Sequence, residues 1–160
     1  MSELNGPWKN LESDLNGFGL KLTSRLQLAT LQNAELVRKV LVKHLQNQDL
    51  SWKPLDPEYL ASKKRRRLST ATLIATSQLM QSITTDLSGD RLSAFVGVLR
   101  SGKRRDGEPP VLIAEIHEFG SHARNIAARP LFRPTFKEVR PDVENGYRKA
   151  VHEAVETTGH

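Results

Sequence analysis

The 160-residue chain contains no cysteine, which excludes disulfides and thiolate metal sites and agrees with assembly in a reducing cytoplasm. Aromatic residues make up only 6% and are not interleaved with the basic clusters, which argues against a base-stacking platform for single-stranded nucleic acid. No window approaches 18 uninterrupted apolar residues, so no membrane span is expected. Apolar content is 38% and mean hydropathy is −0.48, the balance of a soluble protein. The opening MSELNGPWKN lacks the basic-then-apolar order of a signal peptide, so no leader is expected. There is no G-x-S-x-G elbow, no glycine-rich dinucleotide fingerprint after a strand, and no pair of carboxylates set apart as catalytic. The expectation is a non-enzyme without cofactor or resident metal. Internal repeats and low-complexity tracts are also missing.

Positive charge is present, and it is uneven. Net charge is +6, of which residues 1–80 carry +5 and residues 81–160 carry +1. Two basic clusters stand out, Lys63-Lys64-Arg65-Arg66-Arg67 and Lys103-Arg104-Arg105. Such a run reads either as a solvated loop or as a contact for DNA phosphate or an acidic neighbour, and salt would weaken either contact.

Along the chain, Gly6-Pro7 marks a break, with residues 1–8 read as a mobile arm and 9–160 as one domain. Leu11, Leu15, Phe18, Leu22 and Leu26 follow helical spacing, and Leu36, Val37, Val40, Leu41, His44 and Leu45 continue it. One long helix or two consecutive ones are expected over 9–48, with a break near Thr30, ended by Gln46-Asn47-Gln48-Asp49. Asp56-Pro57 reads as an N-cap with proline in the first turn, giving a short helix over 57–64. The cations at 63–67 then read as an exposed loop, and Thr72 to Ile83 as a short helix. Ser88-Gly89-Asp90 joins two arms of a β-hairpin, Thr84 to Leu87 and Arg91 to Leu99, with Leu92, Ala94, Val96 and Val98 on one face. Ser101 to Pro110 reads as a loop, Val111 to Ile116 as a third strand, and Asp142 as the cap of a last helix carrying Val143, Tyr147, Ala150, Val151 and Ala154. The class is α+β, with long N-terminal helices, a small, mainly antiparallel sheet and a C-terminal helix.

Two motifs approach known chemistry without reaching it. Gly97-Val98-Leu99-Arg100-Ser101-Gly102-Lys103 has phosphate-loop spacing, but Arg104 stands where Ser or Thr should meet magnesium, and no helix can open on RRDGEPP. His117-Glu118 followed by His122 evokes a zinc hydrolase. That chemistry needs histidines four apart on one helical face; here they are five apart, with Gly120 between. The plainer reading puts His117 and Glu118 at the end of a strand, satisfying backbone groups or pairing with an arginine.

Trp52, in a Pro-flanked loop, reads as a pin holding that loop to its own domain or as an interface anchor. In Ala128-Arg129-Pro130-Leu131-Phe132-Arg133-Pro134, two prolines bracket two large apolar residues. Each proline removes a donor and fixes φ, so a stiff, extended strut is expected, packing under a nearby element or projecting at a partner.

Taken in order, several segments resemble the tailed-phage virion-morphogenesis and tail-completion proteins, including those of Mu-like phages. They are Trp52-Lys53-Pro54-Leu55 with Tyr59 and Lys63, the Leu73-to-Ile83 segment, the strand ending Val96-Gly97-Val98, Ile116-His117-Glu118-Phe119-Gly120, and the Ala128-to-Pro134 strut. The likeness covers roughly residues 30–157. The family often has glycine where this chain has Ser77, and proline where it has Ala127. The resemblance implies a ring-forming subunit, commonly hexameric, at the head–tail junction or head-proximal tail end. Such a ring terminates the tail tube or joins it to the neck, with genomic DNA in its lumen. Neighbouring neck, connector and tail-tube proteins are the implied partners, and the virion, assembled in host cytoplasm, is the implied location. Trp52, Leu55, Tyr59, Phe119, Arg129, Leu131, Phe132 and Arg133 are the expected packing or subunit-contact residues, with Arg129 and Arg133 pairing with acids on a neighbour. Lys63 to Arg67 and Lys103 to Arg105 are the expected contacts to DNA or an acidic partner. The alternatives are a basic nucleic-acid-binding module and, further off, a metal-dependent hydrolase.

Overall fold

A single 37-residue helix is the spine on which the C-terminal helix and the β-hairpin pack. A computed structural model describes residues 10–74, 77–100 and 109–156. The elements run α1 (Leu11–Asn47), α2 (Pro57–Arg65), α3 (Gln78–Ser82), β1 (Ile83–Leu87), β2 (Ala94–Val98), α4 (Pro110–Phe119) and α5 (Phe132–Glu156). The architecture is α+β: a long N-terminal helix, a two-stranded antiparallel sheet and a C-terminal helix.

α1 is continuous through Thr30. The Thr30 hydroxyl bonds back to the Leu26 carbonyl and meets the Tyr147 hydroxyl at 3.0 Å, so this β-branched residue is a contact and not a break. The polar stop works as expected: Gln48 closes the helix in the left-handed region, its N–H on the His44 carbonyl. Ala29, Thr30, Asn33, Ala34, Val37, Leu41, His44 and Leu45 form the buried stripe. Val37, Leu41 and Leu45 enter the core with Ile83 and Val98 of the hairpin, Ala114 of α4, and Leu131 and Val139 of the α5 region. Leu41 and Leu45 are fully buried, worth roughly 1.5–3 kcal/mol each in apolar burial.

α1 and α5 pack antiparallel. Arg25 meets Glu153 at 3.2 Å, the Asn33 amide donates to the Val143 carbonyl at 3.1 Å, and His44 Nε2 lies 3.1 Å from Glu138. His44 Nδ1 also meets Asp49 at 2.6 Å, and that hydrogen bond holds the Asp49 carboxyl below its ordinary range. At the crossing, Gly146 lets the Asn33 side chain come close enough that an added Cβ would overlap its amide.

Several expectations are corrected. Val111 to Ile116 is not a third strand but the body of α4. A short apolar run fits either state, and here Pro110 opens a helix whose i, i+4 pair Ala114 and Glu118 points inward. The last helix starts at Phe132, ten residues before Asp142. Pro134 sits in its first turn, where a missing N–H is harmless, and Pro141 lies inside it on the exposed side. The Thr72-to-Ile83 helix shrinks to Gln78–Ser82, because Leu73 and Ser77 take left-handed φ of 61° and 59° and Ile83 joins β1. The hairpin register pairs Ile83 with Val98 and Leu87 with Ala94, leaving Leu92 in the turn and only Val96 and Val98 of its expected face covered. The arm at 1–8 and the basic cluster Lys103, Arg104 and Arg105 lie outside the described residues.

Gly146→Ala should destabilise the fold by about 1–3 kcal/mol in urea titrations, since overpacking outweighs the roughly 0.5–1 kcal/mol that alanine gains in an open helix. A stabilised variant would mean the crossing is looser than described. Ser77→Gly should instead raise stability by up to about 1 kcal/mol, by relieving left-handed strain at a non-glycine residue.

Candidate functional site

The strut from Arg129 to Pro134 is held by α4, and the holding group is Glu118. Its carboxylate, almost wholly buried, accepts the backbone N–H of Leu131 at 2.7 Å and of Phe132 at 2.9 Å on Oε2, and of Arg133 at 2.9 Å on Oε1. A helix leaves its first N–H groups without intrahelical partners, and its positive end favours an anion. Here one carboxylate takes three of those donors and Pro134 has none to satisfy. Thr135 then starts the ladder, its hydroxyl bonded to the Leu131 carbonyl at 2.7 Å. Among the plainer readings of Glu118, backbone satisfaction is what the structure shows.

Around this cap the loops are tied together. Gly120 ends α4 at φ 79°, where a Cβ would press on Ile126 and Ala128 backbone. Ser121 and Ile126 pair as an isolated bridge, and the Arg129 N–H donates to the His117 carbonyl at 2.6 Å. The Arg129 guanidinium, also buried, donates to the carbonyls of Lys53 at 3.1 Å and Pro54 at 3.3 Å. Trp52 Nε1 donates to the Pro130 carbonyl at 2.7 Å. The two halves of the chain meet here, residues 52–54 on residues 129–130.

The basic run divides at its first residue, which corrects the reading of 63–67 as a loop. α2, capped as expected by Asp56 on the N–H groups of Glu58 and Tyr59, continues to Arg65. Lys63 is buried at 3% exposure; its ammonium donates to the Ala71 carbonyl at 2.8 Å and lies 5.8 Å from the Tyr59 ring centroid. Burial, and secondarily the nearby Arg129, pushes its pKa below that of an ordinary lysine. Lys64, Arg65, Arg66 and Arg67 are exposed.

Of the expected contact residues, Leu55, Tyr59, Lys63 and Arg129 come together around an open cleft of about 1090 Å³. Leu73, Ile74, Leu79, Ile113, Ile126 and Ala127 also line it, as do His117 and His122. Tyr59 is half exposed. Phe119 and Arg133 form a separate exposed pair, the guanidinium 4.6 Å from the ring centroid. Leu131 is turned inward, 2% exposed in the chain's own core, with Phe132 packed against that core. Of the two readings of the strut, packing under a nearby element is what the structure shows for Leu131, because the Glu118 cap draws the strut into the fold. Arg129 is likewise occupied within its own chain. Among the described residues, no group of three or more His, Asp or Glu side chains is placed to hold a metal, and no helix is long and apolar enough to cross a membrane.

Glu118→Ala should lower stability by about 2–4 kcal/mol, because buried helix-start donors lose their acceptor. Glu118→Gln, keeping one oxygen, should recover part of that loss; equal stability of Glu118→Ala and wild type would contradict the cap. Lys63→Met should cost about 1–3 kcal/mol by orphaning the Ala71 and Ile74 carbonyls to which the ammonium donates, whereas Arg65→Gln or Arg66→Gln should stay within about 0.5 kcal/mol. Thermal and urea denaturation measure all five.

No solved structure gives a significant match to this chain. An uncharacterized protein of Methanocaldococcus jannaschii is similar to it, 28% identical over 128 residues that cover 78% of this chain and 88% of that protein. The model of the phage virion morphogenesis family matches residues 8–155, a span that contains α1, the cleft, the Glu118 cap and all of α5 but its last residue. The chain therefore belongs to the phage virion morphogenesis family.

Proposed function

We propose that this protein is a structural subunit of the virion of a tailed phage, of the Mu-like type, acting by assembly and not by catalysis. It forms a homo-oligomeric ring, a hexamer, at the head–tail junction or the head-proximal end of the tail. There it terminates the tail tube or joins tail to neck, against neighbouring connector and tube proteins, with genomic DNA in the lumen. Membership of the morphogenesis family across nearly the whole chain carries this reading. The way the chain uses its polar groups agrees with it. Glu118, Lys63 and Arg129 each engage backbone groups of their own chain, stiffening a platform, and a rigid platform suits subunits that must repeat one geometry.

Particles made without this protein should show unjoined heads and tails or tails of abnormal length by electron microscopy, with the normal form restored when the protein is supplied in trans. Joined particles with normal tails in its absence would overturn the reading.

The exposed row Lys64, Arg65, Arg66 and Arg67 favours one second reading, direct binding of duplex DNA. It requires measurable binding at low salt that weakens as salt rises. Replacing the four by Gln should lower the salt slope by up to about four. A protein that binds no duplex at low salt excludes this second reading.

A further inference from the structure

α1 extends past the helix that covers it. Arg25 lies opposite Glu153, Thr30 opposite Tyr147 and Asn33 opposite Val143, which brings Glu156, the last described residue of α5, level with about residue 22 of α1. Residues 11–21 therefore run on for roughly 16 Å. Leu11, Leu15 and Phe18 of this tip continue the apolar stripe that α5 covers further along. Leu15 is 60% exposed, and the space around Gly17 and Gly19 is open. The tip is also acidic. Residues 11–21 hold Glu12 and Asp14 against Lys21, a balance of −1, so the rest of the chain carries +7.

The cleft lies at the opposite end of the molecule, beside residues that follow α1, and has the complementary character. Its lining combines Leu55, Leu79 and Ile126 with the exposed Lys53, and with Lys63 and Arg129, whose charged groups are bonded to carbonyls of their own chain, against one acid, Asp56. Two turns of helix occupy about 850 Å³ at a diameter near 10 Å, which fits a cleft of about 1090 Å³. α1 itself is about 55 Å long, so a tip cannot reach its own cleft.

We propose that the N-terminal tip of α1 of one copy docks, head to tail, into the cleft of the next copy. The contact uses two different patches on each subunit, which is the arrangement that closes into a ring when the rotation permits. Glu12 and Asp14 meet Lys53, and Leu11, Leu15 and Phe18 meet the apolar lining. The proposal rests on the self-assembling virion reading above.

The test uses the full chain, light scattering and two variants. The tip variant is Glu12→Lys with Asp14→Lys and Leu15→Ser; the cleft variant is Lys53→Glu with Leu55→Ser. Circular dichroism verifies that both fold. Wild type should assemble, each variant alone should associate at least tenfold more weakly, and a mixture should stop at dimers, because only one good tip and one good cleft remain. Since the chain has no cysteine, Leu15→Cys with Leu55→Cys in one chain should give a disulfide-linked ladder under oxidation, and either alone should not. Variants that assemble like wild type overturn the docking and leave the ring reading standing. So does crosslinking by Leu15→Cys alone, which would mean tip-to-tip pairing. A wild type that stays monomeric, or that docks its tip only on a different virion protein, also overturns it; the ring reading is judged separately by particle morphology.

Discussion

One buried carboxylate organises this molecule. Glu118 reaches from the last turn of α4 to the amides of Leu131, Phe132 and Arg133 in the strut, and that allows a 25-residue helix to begin in a segment with prolines at both ends. The electrostatics favour it from both sides, since the helix start is partially positive and the carboxylate has few other partners in the interior. Once α5 is started there, its inner face has to follow α1, and the pairs from His44–Glu138 to Arg25–Glu153 come into register. The Arg129 and Trp52 bonds then fix residues 52–54 against the strut, which sets one wall of the cleft.

α1 gives the structure its polarity. Its C-terminal half supplies Val37, Leu41 and Leu45 to the core, while its first turns stand clear of α5. The two ends of the molecule thus differ in chemistry, a basic, apolar cleft at one and an acidic, apolar tip at the other. In the proposed head-to-tail docking these unlike ends meet, a contact between two different patches that closes into a ring when the rotation permits. That asymmetry is a property expected of a part that repeats around a ring, and it links the fold to the proposed role in virion assembly.

Much of this was legible wherever the signal is local. The stripe of α1, its left-handed stop at Gln48, the Asp56-Pro57 cap and the Ser88-Gly89-Asp90 turn are each written within a few residues, and the structure follows them. Elements decided by distant partners were not. Val111 to Ile116 is equally apolar as strand or helix, and its state depends on where Ala114 and Glu118 point. Pro130 and Pro134 rightly mark a special segment, but what turns it inward is a carboxylate 13 to 15 residues earlier. Lys63 looked like its four neighbours because burial by residues 71–74 leaves no trace in a run of cations. The cleft was invisible as a unit, since its walls come from segments around 55, 75 and 125 that only tertiary packing joins.

Native-state hydrogen exchange at the amides of Leu131, Phe132 and Arg133 tests the central claim most directly. If the Glu118 cap organises the fold, all three should exchange only through global unfolding, with protection matching that of Leu41 and Leu45 in the core of α1. Exchange of these amides by local opening, several kcal/mol below the global value, would contradict the account and return the strut to the surface.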